Sequence, residues 1–375
     1  MNTTIDSQDW ENIRKLYFKY SYLVFMTFCA HKLNPTCSAA DLERLISSNN
    51  IVEKSILLYI LNTPNSYEFI SEALLLTRSY DKIDINCLYQ AYIATDFLIL
   101  DGKVNFNGGK NSRDVLGAYY TQEEFAYTIT QKLIEEYLEN NNEKETDILT
   151  IADYSCGGGV FLDAACRICR HKGLRAEIYG YDVDPIAVMI TRHRLHLKKN
   201  TNCKILLGNP LLISNNNTSP LDKFKKAESG RFYSIEMGIN HHNKVMIALG
   251  NPPWEKIRFE EKKFLIHYAG SESVNSKTER QKYIQNASSL NTSFYNCLVE
   301  DYREAKKSIK RNACFQNSSC GELNTYAIFT ELCLNMIRDD GIIGLIVKSS
   351  LLKLPVYSAF FKNLTKLKNL YEVYM

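Results

Sequence analysis

Residues 147–171 read DILTIADYSCGGGVFLDAACRICRH. The stretch begins with an apolar run typical of a buried strand, passes through three consecutive glycines, and continues as a helix from Phe161 to His171. Glycine lets the backbone approach a ligand closely, and the helix N-terminus that follows offers N–H groups to an anion. Many strand–helix turns carry glycine for steric reasons alone. By itself, therefore, the stretch predicts a strand–turn–helix unit and no particular ligand.

The chain after this unit continues to alternate between strands and helices. Further strands are predicted at 176–184, 203–209, 244–251 and 342–348, and further helices at 185–199 and 322–338. Residues 339–341 are expected to form the turn into the last strand. Alternation of apolar strands with helices indicates an α/β fold, in which a parallel sheet carries helices on both faces.

Four segments are predicted to lie outside that alternation. Residues 1–100 show helical periodicity with few strand signals, which predicts a helical N-terminal domain. Residues 101–112 are rich in glycine and asparagine and are expected to be a linker, so we place the domain boundary near residue 110. The polar segments 211–243 and 255–320 are expected to be loops or insertions beside the carboxyl edge of the sheet, where open α/β folds bind ligands.

Composition and charge restrict the class of protein. Hydrophobic residues make up 45% and charged residues 23% of the 375 positions, as in ordinary globular proteins, and the net charge of +3 neither requires nor excludes nucleic acid. The basic run 192–199 is interpreted as a solvated helix face. The polar N-terminus does not resemble a secretory leader, and the apolar run 16–30 is short and interrupted by Lys19. We therefore expect a cytoplasmic protein that does not enter a membrane.

The eleven cysteines are scattered and are expected to be reduced thiols. Two pairs, Cys166 with Cys169 and Cys314 with Cys320, have spacings that zinc ligands can show. The first pair falls within a helical pattern, where small residues three positions apart usually pack on one face. No metal is therefore expected.

Polar residues follow two other predicted strands. Asp182 ends the second strand, where an acid can bind the two hydroxyls of a ribose, and Asp184 is expected to cap the helix that begins at Pro185. The spacing G-x-G-x-x-G of dinucleotide enzymes is absent. The strand 244–251 ends in Asn251-Pro-Pro-Trp254, where two prolines stop the strand rigidly. This stretch is either a strand stop with a packed tryptophan or a site that presents an amide and a flat ring.

Taken in order, these motifs resemble those of S-adenosylmethionine-dependent N6-adenine DNA methyltransferases. The common pattern is D-x-x-x-G-x-G, an acid after the second strand, and N-P-P-W after the fourth. A G-x-Y-Y-T motif at 117–121 precedes the glycine turn, as in the gamma arrangement. Residues 324–350 are similar to the fifth-strand region of the family. The resemblance covers about residues 85–375, is greatest to type IIG and related restriction-modification or phage-defence enzymes, and implies a Rossmann-like methyltransferase domain at 111–375.

The resemblance also implies a role for each motif. Asn251 and the Pro252 carbonyl would accept the amine hydrogens of adenine, and so localise the nitrogen lone pair for attack on the sulfonium methyl. Pro253 would hold this turn rigid, and Trp254 would stack on an adenine flipped out of the DNA duplex. The residues expected to bind S-adenosylmethionine are Tyr120, Thr121, Asp153, Gly157, Gly159, Asp182 and Asn209.

Alternatives to an adenine DNA methyltransferase remain open at this point. They are methyl transfer to protein glutamine or to RNA, and a catalytically incomplete fragment that keeps the fold. Related enzymes continue beyond the strand predicted at 370–375 with a partner strand and a target-recognition domain. We therefore expect the chain to need a C-terminal part or a separate specificity subunit to choose a DNA site. No nuclease motif is present in 1–110, so DNA cleavage is not predicted.

Overall fold

The computed structural model describes residues 7–79, 84–100, 103–108, 121–141, 148–196, 201–214, 218–238, 244–269, 274–286, 290 and 292–367. The N-terminal region is helical, as predicted. Its helices are α1 (Ser7–Leu33), α2 (Ala39–Ser48), α3 (Lys54–Leu61), α4 (Ser66–Ser79) and α5 (Ile85–Ala94). The start of α2 shows why the helices begin where they do. Ser38 accepts the N–H of Asp41, and the Asp41 carboxylate accepts the N–H of Ser38, which forms a reciprocal capping box.

The second strand of a hairpin occupies half of the predicted linker. Strands β1 (Thr95–Leu100) and β2 (Lys103–Gly108) pair antiparallel, in a register that places Phe97 opposite Phe106 and Ile99 opposite Val104. The linker prediction for 101–112 was therefore wrong over β2. The glycine and asparagine content of this segment suggested a loop, but residues 103–108 also show a short alternation of apolar and polar residues, which is typical of a strand. Residues 101–102 and 109–112 lie outside the described part of the chain.

The rest of the chain alternates between strands and helices. In chain order its elements are α6 (Glu123–Asn140), β3 (Leu149–Asp153), α7 (Val160–His171), β4 (Ala176–Asp182), α8 (Pro185–His196), β5 (Thr201–Leu207), β6 (Asn209–Ser214), α9 (Pro220–Glu228), β7 (Glu236–Gly238), β8 (Val245–Gly250), α10 (Glu261–Ala269), α11 (Lys277–Asn286), α12 (Thr292–Arg311), α13 (Thr325–Met336), β9 (Ile337–Leu345), α14 (Ser350–Lys353) and α15 (Ser358–Leu367). None of the helices in the described ranges has an apolar stretch that could cross a bilayer.

The main sheet confirms the predicted fold class. Among the described residues its strand order is β5-β4-β3-β8-β9, and every neighbouring pair is parallel. The chain runs outward from β3 to β5 and then returns to β8 and β9 on the other side, so the strand order reverses between β3 and β8. Ligands of open α/β sheets bind outside the carboxyl ends of the strands at such a reversal.

Helices cover both faces of this sheet. On one face, Ile151 of β3 and Ile247 of β8 belong to a core that also contains Ile190 of α8 and residues of the N-terminal helices, such as Leu57. On the other face, Ala152 of β3 and Ala248 of β8 pack in a second core formed with α12 and α13. All six residues of β8 are buried, as expected for a central strand of a parallel sheet.

Over its described residues, 192–196, the basic run is not simply a solvated face, and that interpretation was wrong there. Arg192 donates two hydrogen bonds, at 3.0 and 2.8 Å, to a backbone carbonyl of β5, and it pairs with Glu53 at 3.2 Å. Arg194 pairs with Glu123 at 3.0 Å. These arginines therefore join α8 to α6 and to the start of α3. Residues 197–200 lie outside the described ranges.

Two other predictions of irregular structure were wrong at least in part. The segments 211–243 and 255–320 are not simply loops, since the first contains α9 and parts of it pair as β6 and β7, while the described residues of the second are mostly helical; their assignment as insertions stays a prediction. The predicted turn at 339–341 lies inside β9, whose register against β8 shifts between Val245 and Ile247. A Cβ on Gly341 would lie 2.8 Å from the Met246 carbonyl oxygen, so the glycine allows close strand approach rather than a turn. Residues 370–375, where a further strand was predicted, are not described.

Candidate active site

A cleft opens at the carboxyl ends of β3 and β8, where the strand order reverses. Its empty space is about 1060 Å³, a volume that includes the open solvent at its mouth. Six of the residues singled out from the sequence line it, and they are Thr121, Asp153, Gly157, Asp182, Asn251 and Pro253. The strand ends therefore bring together motifs that are up to 130 positions apart in the chain.

The glycine turn between β3 and α7 depends on backbone conformations that favour glycine. Gly157 has φ +51° and Gly159 has φ +79°. A Cβ on Gly159 would lie 2.8 Å from the Thr191 side chain, and the Thr191 hydroxyl donates to the Gly157 carbonyl at 2.7 Å. Gly157 and Gly158 line the cleft, whereas Gly159 caps α7 and packs against α8.

Asp153 lies at the base of the cleft with 1% of its surface exposed. One carboxylate oxygen accepts the N–H of Ser155 at 3.0 Å, and burial raises the pKa of Asp153 to about 7. Gly250, at the end of β8, has φ +143°, and a Cβ there would lie 2.5 Å from this oxygen. The glycine before Asn251 is therefore required for the two strand ends to approach each other.

The two acids after β4 have different partners. Both line the cleft, and the Asp182 oxygens accept the N–H groups of Gly157 at 2.8 Å and of Asp184 at 2.9 Å. Asp184 accepts the N–H of Ile186 at 2.9 Å, as a helix cap does, and the hydroxyl of Tyr89 at 2.8 Å. Burial raises the pKa of both carboxyls, to about 7 for Asp184, where the charge of Asp182 adds to the effect.

The turn that follows β8 is fixed from two sides. The Asn251 amide donates to the Thr121 hydroxyl at 3.2 Å. Thr325, the first residue of α13, places its hydroxyl 2.5 Å from the Pro253 carbonyl oxygen, and its backbone N–H donates to the Glu255 carbonyl at 3.0 Å. The Glu255 N–H in turn donates to the Thr325 hydroxyl at 3.1 Å. The turn is thus held by side chains as well as by its prolines.

Some predicted site residues do not line the cleft. The Asn209 side-chain oxygen accepts the Leu211 N–H at 3.0 Å, and the neighbouring Pro210 lines the cleft instead. Pro252 is buried in the turn. Trp254 is half-buried, and its Nε1 donates to the Ile346 carbonyl at 3.4 Å, beside a cluster of aromatic and aliphatic residues that contains Tyr326, Leu351, Tyr357 and Phe360. Tyr120, with the rest of 117–120, lies outside the described residues.

Sequence reasoning missed the wall of the cleft that α5 provides. Asn86, Tyr89, Gln90 and Ile93 line the cleft, and their spacing of three, four and seven positions places them on one helix face. The signal available in the sequence was the pair of amides, Asn86 and Gln90, on one face of this short helix. These amides belong to no known motif, so the sequence alone does not show that they line a cleft.

The lining suits a ligand with a flat ring, hydroxyl groups and a cationic end. Apolar side chains that can flank a ring are supplied by Val183, Pro210, Phe232 and Phe329. The hydrogen-bond acceptors include the carboxylates of Asp153 and Asp182. In the described ranges, no group of three or more His, Cys, Asp or Glu side chains is arranged to hold a metal ion. Cys166 and Cys169 are buried free thiols within the core.

Comparison by sequence identifies a family. Residues 176–374, more than half of the chain, match the profile of the Eco57I restriction-modification methylase family. No curated protein sequence matches this chain significantly.

The solved structures that match this chain are distant in sequence. A putative class I S-adenosylmethionine-dependent methyltransferase from Listeria monocytogenes is 11% identical, with a TM-score of 0.38 over 95% of this chain and 80% of that one. A methyltransferase subunit of a type I restriction-modification system from Streptococcus thermophilus is 11% identical, with a TM-score of 0.40 over 96% and 74%. The Type ISP restriction-modification enzyme LlaGI, as a nuclease-deletion mutant with a DNA substrate mimic, is 12% identical, with a TM-score of 0.47 over 98% and 27%. This chain therefore spans about a quarter of the length of LlaGI.

Proposed function

This chain belongs to the Eco57I restriction-modification methylase family, and on that premise we propose that it transfers a methyl group from S-adenosylmethionine to the N6 amine of adenine in DNA. The observation that carries the proposal is the position of Asn251. Its side chain lines the same cleft as Asp182 and the glycine turn, although it follows a different strand. An amide that orients a substrate amine has to face the cofactor in this way.

The cofactor assignment follows from the chemistry of the lining. Asp182, whose carboxylate oxygens can each accept more than one hydrogen bond, is proposed to bind the ribose hydroxyls. Thr121, Asp153 and Gly157 are proposed to surround the methionine end. Gly159 is proposed to support the turn, and Asn209 to support Pro210 beside the adenine ring. When bound, S-adenosylmethionine supplies an electrophilic methyl group.

The turn after β8 is proposed to prepare the adenine amine. This amine is a poor nucleophile because its lone pair is delocalised into the ring. If the Asn251 oxygen and the Pro252 carbonyl accept its two hydrogens, the lone pair becomes localised on nitrogen. Pro253 and its contact with Thr325 hold the acceptors still, so little reorganisation is needed during the reaction. Trp254 is proposed to stack on the flipped base.

The proposed acceptor of the methyl group and the proposed partners of the chain rest on the family rather than on the geometry of the cleft. The description of the family as restriction-modification methylases supports DNA as the acceptor. A separate specificity subunit or a further C-terminal segment stays a prediction. The same holds for the cytoplasmic location, the boundary near residue 110 and the cofactor role of Tyr120.

The test is to identify the methylated product. We would incubate the chain with S-adenosylmethionine labelled in its methyl group and, separately, with duplex DNA, single-stranded DNA, RNA and glutamine-containing protein. The DNA is then digested to nucleosides for mass spectrometry. We expect N6-methyladenine, formed faster on unpaired adenines because flipping a paired base costs a few kcal/mol. Label found only in RNA or protein, or in 5-methylcytosine, would contradict the proposal.

A further inference from the structure

Asn86, near the start of α5, is a buried amide whose orientation is fixed by its partners. Only 4% of its surface is exposed. Its Nδ2 donates to the carboxylates of Asp84 at 3.0 Å and of Glu123 at 3.3 Å. An ionised carboxylate can only accept hydrogen bonds, so these two contacts identify the nitrogen end of the amide. The oxygen therefore points the other way.

That oxygen faces the glycine turn inside the cleft. A Cβ placed on Gly158 would lie 3.2 Å from the Asn86 Oδ1, and both residues line the cleft. Among the residues that the structure describes, none donates a hydrogen bond to this oxygen. An acceptor buried without a donor costs about 1–3 kcal/mol. The position is therefore suited to a donor that belongs to a ligand.

The surroundings of Asn86 make this oxygen a fixed and strong acceptor. The Asp84 carboxylate also accepts the Asn86 backbone N–H at 3.0 Å, and Glu123 is held by Arg194 at 3.0 Å. Arg194 in turn lies 3.9 Å from Asp163. The amide is thus tied to α5, α6 and α8 together. The two carboxylates that accept hydrogen bonds from its nitrogen polarise the amide. Electron density on the amide oxygen therefore increases, because hydrogen bonds in series polarise one another.

We propose that Asn86 is a cofactor-binding residue, whose Oδ1 accepts an N–H of the α-ammonium group of S-adenosylmethionine. The inference rests on the cofactor of the proposed function. The hydrogen-bond donors of that cofactor are its ribose hydroxyls, its adenine amine and its ammonium. Asp182 is assigned to the ribose. Asn86 bonds Glu123, which lies two positions after Thr121, and Thr121 lines the same cleft and is assigned to the methionine end.

Charge also favours a cation at this position. The carboxylates around Asn86 are those of Asp84, Glu123 and Asp163. Among the described residues, the guanidinium groups that pair with two of them belong to Arg194 and Arg167. The Asp84 and Glu123 carboxylates, which contact the Asn86 amide directly, favour a cation at the glycine turn. The N-terminal helical region therefore supplies a ligand contact as well as packing for the sheet.

A double-mutant cycle between protein and ligand tests the assignment. Isothermal titration calorimetry would measure the binding of S-adenosylhomocysteine, and of its analogue without the α-amino group, to the wild type and to Asn86→Ala. We expect the substitution to weaken S-adenosylhomocysteine binding roughly tenfold to a hundredfold, the cost of a hydrogen bond to a charged group. The analogue should bind both proteins within about threefold. Asn141→Ala, which removes an amide that follows α6 and bonds the Tyr137 carbonyl, should leave both affinities unchanged.

Two results would overturn the assignment of Asn86. One is unchanged S-adenosylhomocysteine binding in Asn86→Ala, and the other is an equal loss of affinity for both ligands, which would indicate a structural role. If the wild type binds neither ligand, the proposed cofactor itself is refuted, together with this inference. Thermal unfolding checks that Asn86→Ala is folded. If it is not, Asn86→Ser, which keeps a donor near Asp84 and removes the acceptor from the turn, takes its place in the cycle.

Discussion

The two aspartates at the end of β4 show how neighbouring carboxylates divide between ligand binding and structure. Both line the cleft, and Asp182 organises the glycine turn through the Gly157 N–H. One Asp184 oxygen accepts the Ile186 N–H at the start of α8, and the other accepts the Tyr89 hydroxyl. Asp184 therefore connects α5 to the end of β4. Substitution of these residues should therefore affect different properties.

We expect Asp182→Ala to weaken S-adenosylmethionine binding tenfold or more, because hydrogen bonds to a charged group contribute roughly 1.5–3 kcal/mol each. Asp184→Ala should mainly lower the free energy of unfolding, by about 1 kcal/mol or more, through loss of the helix cap. Calorimetric titration and urea denaturation of both variants measure the two effects. A larger loss of affinity in folded Asp184→Ala would show that the two roles are reversed.

The pKa of Asp153 leads to a prediction about stability and pH. Burial raises this pKa from 3.8 to about 7, so the folded protein holds a proton that the unfolded chain has released. The contribution of Asp153 to the free energy of unfolding is then complete below about pH 4. It falls, by at most about 1.4 kcal/mol per pH unit, as the pH rises to about 7.

The comparison with Asp153→Asn isolates this contribution, since the asparagine cannot ionise but can still accept the Ser155 N–H. Urea denaturation without cofactor, at a series of pH values from 4 to 8, should show the stability of the wild type falling relative to the variant up to about pH 7 and then levelling. A difference that does not change with pH would show that Asp153 ionises normally.

At the scale of elements, the start of α13 positions the turn 251–255. The Thr325 hydroxyl contacts the Pro253 carbonyl, and its backbone pairs with Glu255. We expect Thr325→Val, which keeps the shape but removes the hydroxyl, to lower the rate of methyl transfer tenfold or more. The affinity for S-adenosylmethionine should stay within a few-fold, because Thr325 does not line the cleft.

A threonine one turn and a half further along α13 provides the control for that variant. The Thr330 hydroxyl bonds only the Tyr326 carbonyl of its own helix among the contacts described, so Thr330→Val should leave the transfer rate near that of the wild type. Single-turnover measurements on both variants separate the rate from binding. Equal rates in the two variants would mean that the turn does not depend on α13.

The elements also show what could be predicted from the sequence. The ends of β3, β4 and β8 were predictable because apolar runs stop at glycine, aspartate or proline, and parallel strands then bring Asp153, Asp182 and Asn251 to one edge. The wall formed by α5 was not predictable, since Asn86 belongs to no motif and its partner Glu123 lies 37 positions away. The basic run at Arg192 was misjudged because charge alone does not show that Glu53 packs against it.

At the scale of the whole molecule, the N-terminal helices and the sheet share one core. Leu23 of α1 and Leu57 of α3 belong to the same buried cluster as Ile151 of β3. Side-chain bonds such as Arg192 to Glu53 cross the same interface. The predicted boundary near residue 110 therefore separates segments that are expected to fold together.

We expect differential scanning calorimetry of the chain to show one cooperative unfolding transition. Because a ligand that binds only the folded state stabilises it, S-adenosylhomocysteine should shift the whole transition upward. Two transitions, of which only one responds to the ligand, would instead show an independent N-terminal domain. That result would also argue against a contribution of α5 to the cleft.

Asn251 is proposed to act on the substrate amine, and the rest of the cleft to bind the cofactor. The most direct measurement combines calorimetric binding of S-adenosylmethionine with the formation of N6-methyladenine by Asn251→Ala. The substitution removes an acceptor for the adenine amine and leaves Asp182 and the glycine turn in place. We predict cofactor affinity within a few-fold of the wild type and no detectable methyl transfer. Loss of binding together with transfer, or transfer at the wild-type rate, would contradict the account.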